Sequence, residues 1–168
     1  MPTIITGDRE QELHEKIDVV VVLDRLRSAH NVGNIFRLAD AVNIKAVYTC
    51  GYTATPPHPK LEKTAMGTDQ FVSCTHFDHS LEAVEQLKKE GYRVYAVDTI
   101  ESAIDVYKAN FTGPSAFVFG NEALGMQQET LEACDEFISL SARGLKNSIN
   151  VSNCAAVVLF QAAHQLAK

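Results

Sequence analysis

Leu140-Ser-Ala-Arg-Gly-Leu-Lys-Asn-Ser-Ile-Asn-Val-Ser-Asn153 is the segment around which the rest of the chain can be read. Ser141, Asn147, Ser148, Asn150, Ser152 and Asn153 crowd neutral hydrogen-bonding side chains between two apolar runs. An ordinary surface loop carries more charge and more turn residues, whereas these amides and hydroxyls can make directed contacts to a ligand or pack beside buried backbone. The segment is therefore a candidate site. Phe137 to Leu140 before it reads as a strand and Val151 to Leu166 after it as a helix. On that helix Ala155, Leu159, Ala162 and Leu166 form one face, while Val157, Val158 and Phe160 lie off it. A helix apolar around so much of its circumference is either wholly buried or shared with another chain, and a homodimer is expected.

Upstream, Ser115 to Phe119 reads as a buried strand running into Gly120-Asn121-Glu122-Ala123-Leu124-Gly125-Met126. Its glycines let backbone approach a ligand closely, and the plain reading of Glu122 is a carboxylate capping a helix from Gln127 to Cys134. The segment is neither a phosphate-binding P-loop nor a dinucleotide glycine fingerprint. Arg93 to Val97 is another strand, and Asp98 to Ile100 at its end is a plausible pocket wall, because parallel sheets bind ligands outside the carboxyl ends of their strands. Leu81, Val84 and Leu87 space a helix ending before Gly91, whereas Ala103 to Phe111 fits either helix or extended chain.

Nearer the N-terminus, Ala46 to Cys50 and Phe71 to Cys74 read as strands. Pro56, Pro57 and Pro59 within Gly51 to Lys60 favour a stiffened loop over a helix. Val19 to Leu23 is β-branched and apolar throughout, as where both faces of a parallel sheet are covered. Asp24 to Gly33 follows as a loop, and Asn31-Val32-Gly33-Asn34 opens a helix through Val42. Ile35, Leu38, Ala39 and Val42 form its core face, beside a row of Asn31, Asn34 and Arg37. On this segment alone Asn31 is an N-cap and Arg37 a solvated residue. Residues 8 to 16 are charged and read as an exposed helix or arm, so 1–16 is an N-terminal arm on a single domain spanning 1–168.

A chain of 168 residues with 46% apolar content has enough material for one core without a disulfide or metal. Cys50, Cys74, Cys134 and Cys154 are scattered, with no Cys-x-x-Cys pair, and read as reduced packing residues. His76 and His79 lack a third ligand nearby, so no metal site is expected. The longest strongly apolar run is too short to cross a bilayer and the N-terminus has no signal-peptide pattern, so a cytoplasmic protein without membrane association is expected. The net charge of −6 argues against non-specific coating of nucleic acid. An RNA ligand would have to meet local clusters such as Arg25, Arg27, His30 and Arg37, or Arg143 and Lys146.

Three of these polar loops together resemble the SpoU/TrmH family of RNA ribose 2'-O-methyltransferases within the SPOUT superfamily. Asn31-Val32-Gly33-Asn34-Ile35-Phe36-Arg37 is similar to its first motif, Asn-x-Gly-x-x-x-Arg. Phe119 to Gly125 is similar to the second, and Ser148-Ile149-Asn150-Val151-Ser152 to the third. They occur in the right order, each after an expected strand, and the resemblance spans Val19 to Leu166. Ala123 stands where the family usually has glycine and Ser141 where it often has proline, which bears on affinity more than on chemistry.

The resemblance implies an α/β fold: a parallel sheet flanked by helices, with a C-terminal trefoil knot, an exception to unknotted topology. It implies S-adenosyl-L-methionine as cofactor, contacted around Thr99, Gly120, Leu140, Ile149 and Asn150, with no metal. Arg37 matches the catalytic arginine of the family, acting across the dimer interface on cofactor held by the other chain. A guanidinium is a poor general base at neutral pH, so its implied role is to hold the adjacent phosphate and stabilise the developing alkoxide. Asn31 would orient Arg37 or the ribose, and Glu122, Ser148 and Asn150 would shape the site. Small members of the family commonly act on tRNA, so tRNA is expected, with rRNA as the alternative substrate. A non-catalytic RNA-binding member is a second rival. A nucleotide-dependent oxidoreductase, which fits only the generic α/β pattern, is a third.

Overall fold

The strand β1 (Ile17–Asp24) is apolar on both faces because both faces are covered. Val19, Val21 and Leu23 join one core and Val20 and Val22 the other, each buried side chain contributing roughly 1.5–3 kcal/mol. The computed structural model describes residues 1–5 and 14–168. The helix or arm expected over residues 8–16 lies largely outside the described residues, and residues 14–16 have no regular secondary structure.

Beyond β1 the described strands are β2 (Ile44–Cys50), β3 (Cys74–Phe77), β4 (Arg93–Val97), β5 (Ile104–Asp105), β6 (Ser115–Phe119) and β7 (Glu136–Ser139). The helices are α1 (Ala29–Val42), α2 (Pro59–Ala65), α3 (Ser80–Lys89), α4 (Gln128–Ala133) and α5 (Val151–Leu166). All strand pairs are parallel, in the order β3-β2-β1-β6-β4-β7-β5. Residues of α1, α2 and α5 cover one face, and residues of α3 and the α4 region the other. The expected α/β architecture, a parallel sheet flanked by helices, is therefore present.

Several expected boundaries move for identifiable reasons. Ser28, not Asn31, caps α1, its side chain accepting a hydrogen bond from the Asn31 N–H. Pro59 opens α2 instead of prolonging a loop, because proline at the first helical position forfeits no intrahelical bond. Phe71, assigned to a strand from its apolarity, closes a 3-10 turn over Thr68–Gln70 and is exposed. The strand itself lies at Cys74–Phe77, on the sheet edge, with Thr75 and His76 exposed. Within Ala103–Phe111 the chain forms the two-residue strand β5 and then turns. Gln165 of α5 ties that segment down, accepting from the Phe111 N–H (2.7 Å) and donating to the Ala109 carbonyl (3.0 Å). Val158 lies on the buried face of α5, since it is three residues from Ala155 and four from Ala162. Phe160 remains 53% exposed on another side.

Candidate active site

β1 is followed by β2 on one side of the sheet and β6 by β7 on the other, so the connection direction reverses between β1 and β6. A crevice opens at such a point outside the carboxyl ends of the strands. Here it is a cavity of about 640 Å³. Arg27, Ser28 and Asn31 line it from the start of α1, Val97 to Thr99 from the end of β4, and Phe119 to Glu122 with Gly125 from the end of β6. Leu140 after β7, residues 147–151 and Cys154 complete it.

Polar groups from three distant segments meet in one chain of hydrogen bonds. Glu122 Oε2 accepts from the Arg27 N–H (2.9 Å), and Oε1 accepts from the Ser28 N–H (3.3 Å) and Asn31 Nδ2 (3.2 Å). Asn31 Oδ1 in turn accepts from Asn150 Nδ2 (3.2 Å). Asn150 caps α5, its Oδ1 accepting from the Ser152 N–H (2.9 Å) and Ser152 Oγ (2.6 Å). Burial alone would raise the Glu122 pKa, but the Arg27 N–H, its own N–H, the Asn31 amide and the Ser28 N–H together hold it below its ordinary value. Glu122 is thus a helix-associated carboxylate, but it serves the N-terminus of α1 rather than α4.

The turn after β6 is built by Asn121, which is 4% exposed. Its Oδ1 accepts from the Ala123 and Leu124 N–H groups (2.8 Å each), and its Nδ2 donates to the Arg25 carbonyl (2.7 Å) and the Tyr52 hydroxyl (2.8 Å). A Cβ on Gly120 would stand 2.5 Å from the Met126 nitrogen, so the turn closes only with glycine there. Ala123 avoids the left-handed region, so alanine fits where the family usually has glycine. Ser141 donates to Asp105 Oδ2 (2.8 Å), and that bond is the leading cause of a lowered Asp105 pKa. Residues 141–150 are all exposed rather than packed beside buried backbone. They are held by the Ser141 and Asn150 contacts and by Thr99 Oγ1 donating to the Asn147 carbonyl (3.3 Å).

Asn31, Thr99, Gly120, Glu122, Leu140, Ser148, Ile149 and Asn150 all reach the cavity, whereas Arg37 is exposed on α1 and does not line it. Of the expected pocket wall, Asp98 and Thr99 line the cavity and Ile100 does not. Sequence reasoning missed the turn-building role of Asn121, and it missed the buried pair in which Arg25 Nε donates to Asp24 Oδ1 (3.1 Å). The available signal was a charged residue closing an all-apolar strand. The apolar walls, Val97, Phe119, Leu140, Ile149 and Val151, surround Cys154, whose thiol burial pushes up to about 11. Nucleophilic thiolate chemistry at neutral pH is therefore disfavoured. Among the described residues no cluster of three or more His, Cys, Asp or Glu is placed to hold a metal ion.

The sequence pattern of the SpoU rRNA Methylase family matches residues 18–160, nearly the whole described fold. The chain belongs to this family. Among its SpoU relatives, a tRNA (guanosine(18)-2'-O)-methyltransferase of Thermus thermophilus is 33% identical over 151 residues, covering 90% of this chain and 77% of the relative. The 23S rRNA (guanosine-2'-O-)-methyltransferase RlmB of Vibrio parahaemolyticus is 32% identical over 148 residues, 88% of this chain but only 59% of the relative. The SpoU chain therefore spans about three fifths of that enzyme. Among solved structures, the TrmH/SpoU tRNA modifying enzyme of A. aeolicus superposes with a TM-score of 0.81 at 25% identity, over 89% of this chain and 76% of that one. The SpoU methyltransferase AviRb of Streptomyces viridochromogenes, solved in complex with the cofactor AdoMet, shares the fold with a TM-score of 0.81 at 24% identity, over 96% of this chain and 63% of that one.

Proposed function

We propose that this SpoU protein transfers a methyl group from S-adenosylmethionine to a ribose 2'-hydroxyl of RNA, acting on tRNA in preference to rRNA, as a cytoplasmic homodimer. The observation that carries the reading is the single hydrogen-bonded chain Glu122–Asn31–Asn150, which joins three separate motifs at one cavity. The cavity fits the cofactor. Its volume of about 640 Å³ lies within the roughly 300–1,000 Å³ of small-molecule sites. It also combines apolar walls with Gly120, Leu140 and Ile149 among its lining residues. When bound, the cofactor supplies an electrophilic methyl group on a sulfonium. Apolar walls favour its transfer, because a charge that disappears in the reaction is poorly stabilised there in the ground state.

Glu122 holds the start of α1 in place, with both oxygens engaged by protein donors. Its role is to position Asn31 and the backbone of Arg27 and Ser28. Asn31 and Asn150 orient the ribose, and Ser148 adds a hydroxyl at the rim. Arg37 faces solvent on its own chain, a placement that suits action on a cavity in the second protomer. There it contacts the phosphate and stabilises the developing alkoxide, while the 2'-hydroxyl proton leaves to phosphate or water and the spent donor departs as S-adenosylhomocysteine. The exposed side of α5 around Phe160 suits the same pairing. In this reading Leu140 to Asn153 is the knotted segment typical of the family.

The test is label transfer from methyl-labelled S-adenosylmethionine into bulk tRNA and into rRNA side by side. Label in tRNA exceeding that in rRNA supports the proposal. Label in rRNA alone reverses the substrate order, and donor binding without label in either RNA favours the non-catalytic rival.

A further inference from the structure

Arg25 is an unusual element of the site. Its φ of 54° places it in the left-handed region, which a long side chain adopts only when its surroundings impose it. Its guanidinium is turned onto the protein. Nε donates to Asp24 Oδ1 (3.1 Å) and Nη2 to Asp24 Oδ2 (3.4 Å), and Nη2 also donates to the Gly125 carbonyl (3.2 Å). Asp24 is fully buried, and its Oδ2 accepts from the Gln127 N–H (3.0 Å) as well. At the other end of the same turn, the Arg25 carbonyl accepts from Asn121 Nδ2 (2.7 Å). Opposite the side chain stands Gly51, where an added Cβ would lie 3.0 Å from Arg25 Cγ, so the absence of a side chain there makes room for the arginine.

One residue therefore grips the Asn121–Gly125 turn at both ends, through its carbonyl and through its guanidinium fork. Both Asn121 and Gly125 line the cavity, and Arg25 does not. We infer that Arg25 is a positioning residue for this methyltransferase: it holds the Gly120–Gly125 turn in the geometry that binds the methyl donor, without touching the donor. The inference rests on the donor-binding reading of the cavity. A buried carboxylate alone needs only a counter-charge. The added bond to Gly125 needs the planar fork, which lysine cannot reproduce.

The distinguishing variant is Arg25→Lys, with the double variant Asp24→Asn/Arg25→Gln, which removes the buried charge and its partner together. Donor affinity is read by calorimetry with S-adenosylhomocysteine, and KM for donor and for RNA are read separately, well below each variant's unfolding midpoint. Arg25→Lys should unfold close to wild type yet bind the donor product about tenfold more weakly. Its donor KM should rise and its RNA KM stay unchanged. The double variant should also fold and remain weak for the donor. Donor affinity within twofold of wild type in Arg25→Lys overturns the inference. So does a loss in which donor and RNA constants worsen together and recover together in the double variant, since that marks a purely structural pair. Failure of the wild-type protein to bind S-adenosylhomocysteine would defeat the donor-site reading itself, and this inference with it.

Discussion

At the scale of single residues, Glu122 and Arg25 show that a charged side chain in a candidate site can be committed to the protein rather than to a ligand. Glu122 accepts two backbone N–H bonds at the start of α1 and one from Asn31. Glu122→Gln keeps one acceptor oxygen and loses the charge, so it should cost about 1 kcal/mol of stability at neutral pH, discounted for solvent screening. The sign with pH follows from its lowered value, which starts from 4.5. The carboxylate's contribution is complete above its unfolded pKa and is lost as pH falls through its lower folded one. Urea unfolding of both proteins should show a gap at neutral pH that closes under acid. A gap that widens under acid would show that the carboxylate is not the stabilised form.

The residue scale also marks where the sequence was silent. Arg25 and Arg27 are two residues apart and form, with His30 and Arg37, one local cluster of charge in the sequence. The fold separates Arg25, which turns inward to Asp24, from Arg27, which lines the cavity. Asn121 makes its bonds to residues as distant as Arg25 and Tyr52, contacts that no local pattern encodes.

At the scale of elements, legibility follows burial. β1, β4 and β6 could be read because a strand covered on both faces is almost continuously apolar, and α5 because its apolar residues recur at helical spacing; their bounds fall within two residues of expectation. Edge strands escape that logic. β3 and β5 each have one neighbour and carry exposed polar or exposed apolar residues, so hydrophobicity marks them poorly. The motif glycine Gly33 has a reason at this scale as well. It lies where α1 meets α2, and a Cβ there would stand 2.0 Å from Thr64 Oγ1 and 2.2 Å from the Leu61 carbonyl oxygen. Thr64 can rotate, but the Leu61 backbone cannot withdraw without shifting α2. Gly33→Ala should therefore cost about 1–3 kcal/mol in denaturant unfolding. A substitution that leaves the midpoint unchanged would show that the two helices separate freely.

At the scale of the whole molecule, one chain presents a cavity that Arg37 does not line. It also presents a terminal helix with a buried face and an exposed phenylalanine. The family resemblance made the three motifs legible, because each is a local pattern at a strand end, and eight of the positions it implies line the cavity. The hydrogen-bonded path from Glu122 through Asn31 to Asn150 was not legible, since its two bonds join residues 91 and 119 positions apart that meet at the switch point. Shared sites between two chains would reconcile an exposed Arg37 with catalysis.

The measurement that tests the account most directly is nucleoside mass spectrometry of RNA incubated with methyl-labelled S-adenosylmethionine. Four samples are compared: wild type, Arg37→Ala, a cavity-filling Ile149→Trp, and the two variants unfolded and refolded together. Wild type should give a labelled 2'-O-methylnucleoside, and neither variant alone should give any. Mixed protomers should recover about a quarter of wild-type product, since half the dimers are mixed and each has one complete site. Label on a base instead of a ribose would contradict the proposed reaction, and full activity of Arg37→Ala, or no recovery on mixing, would contradict the shared site.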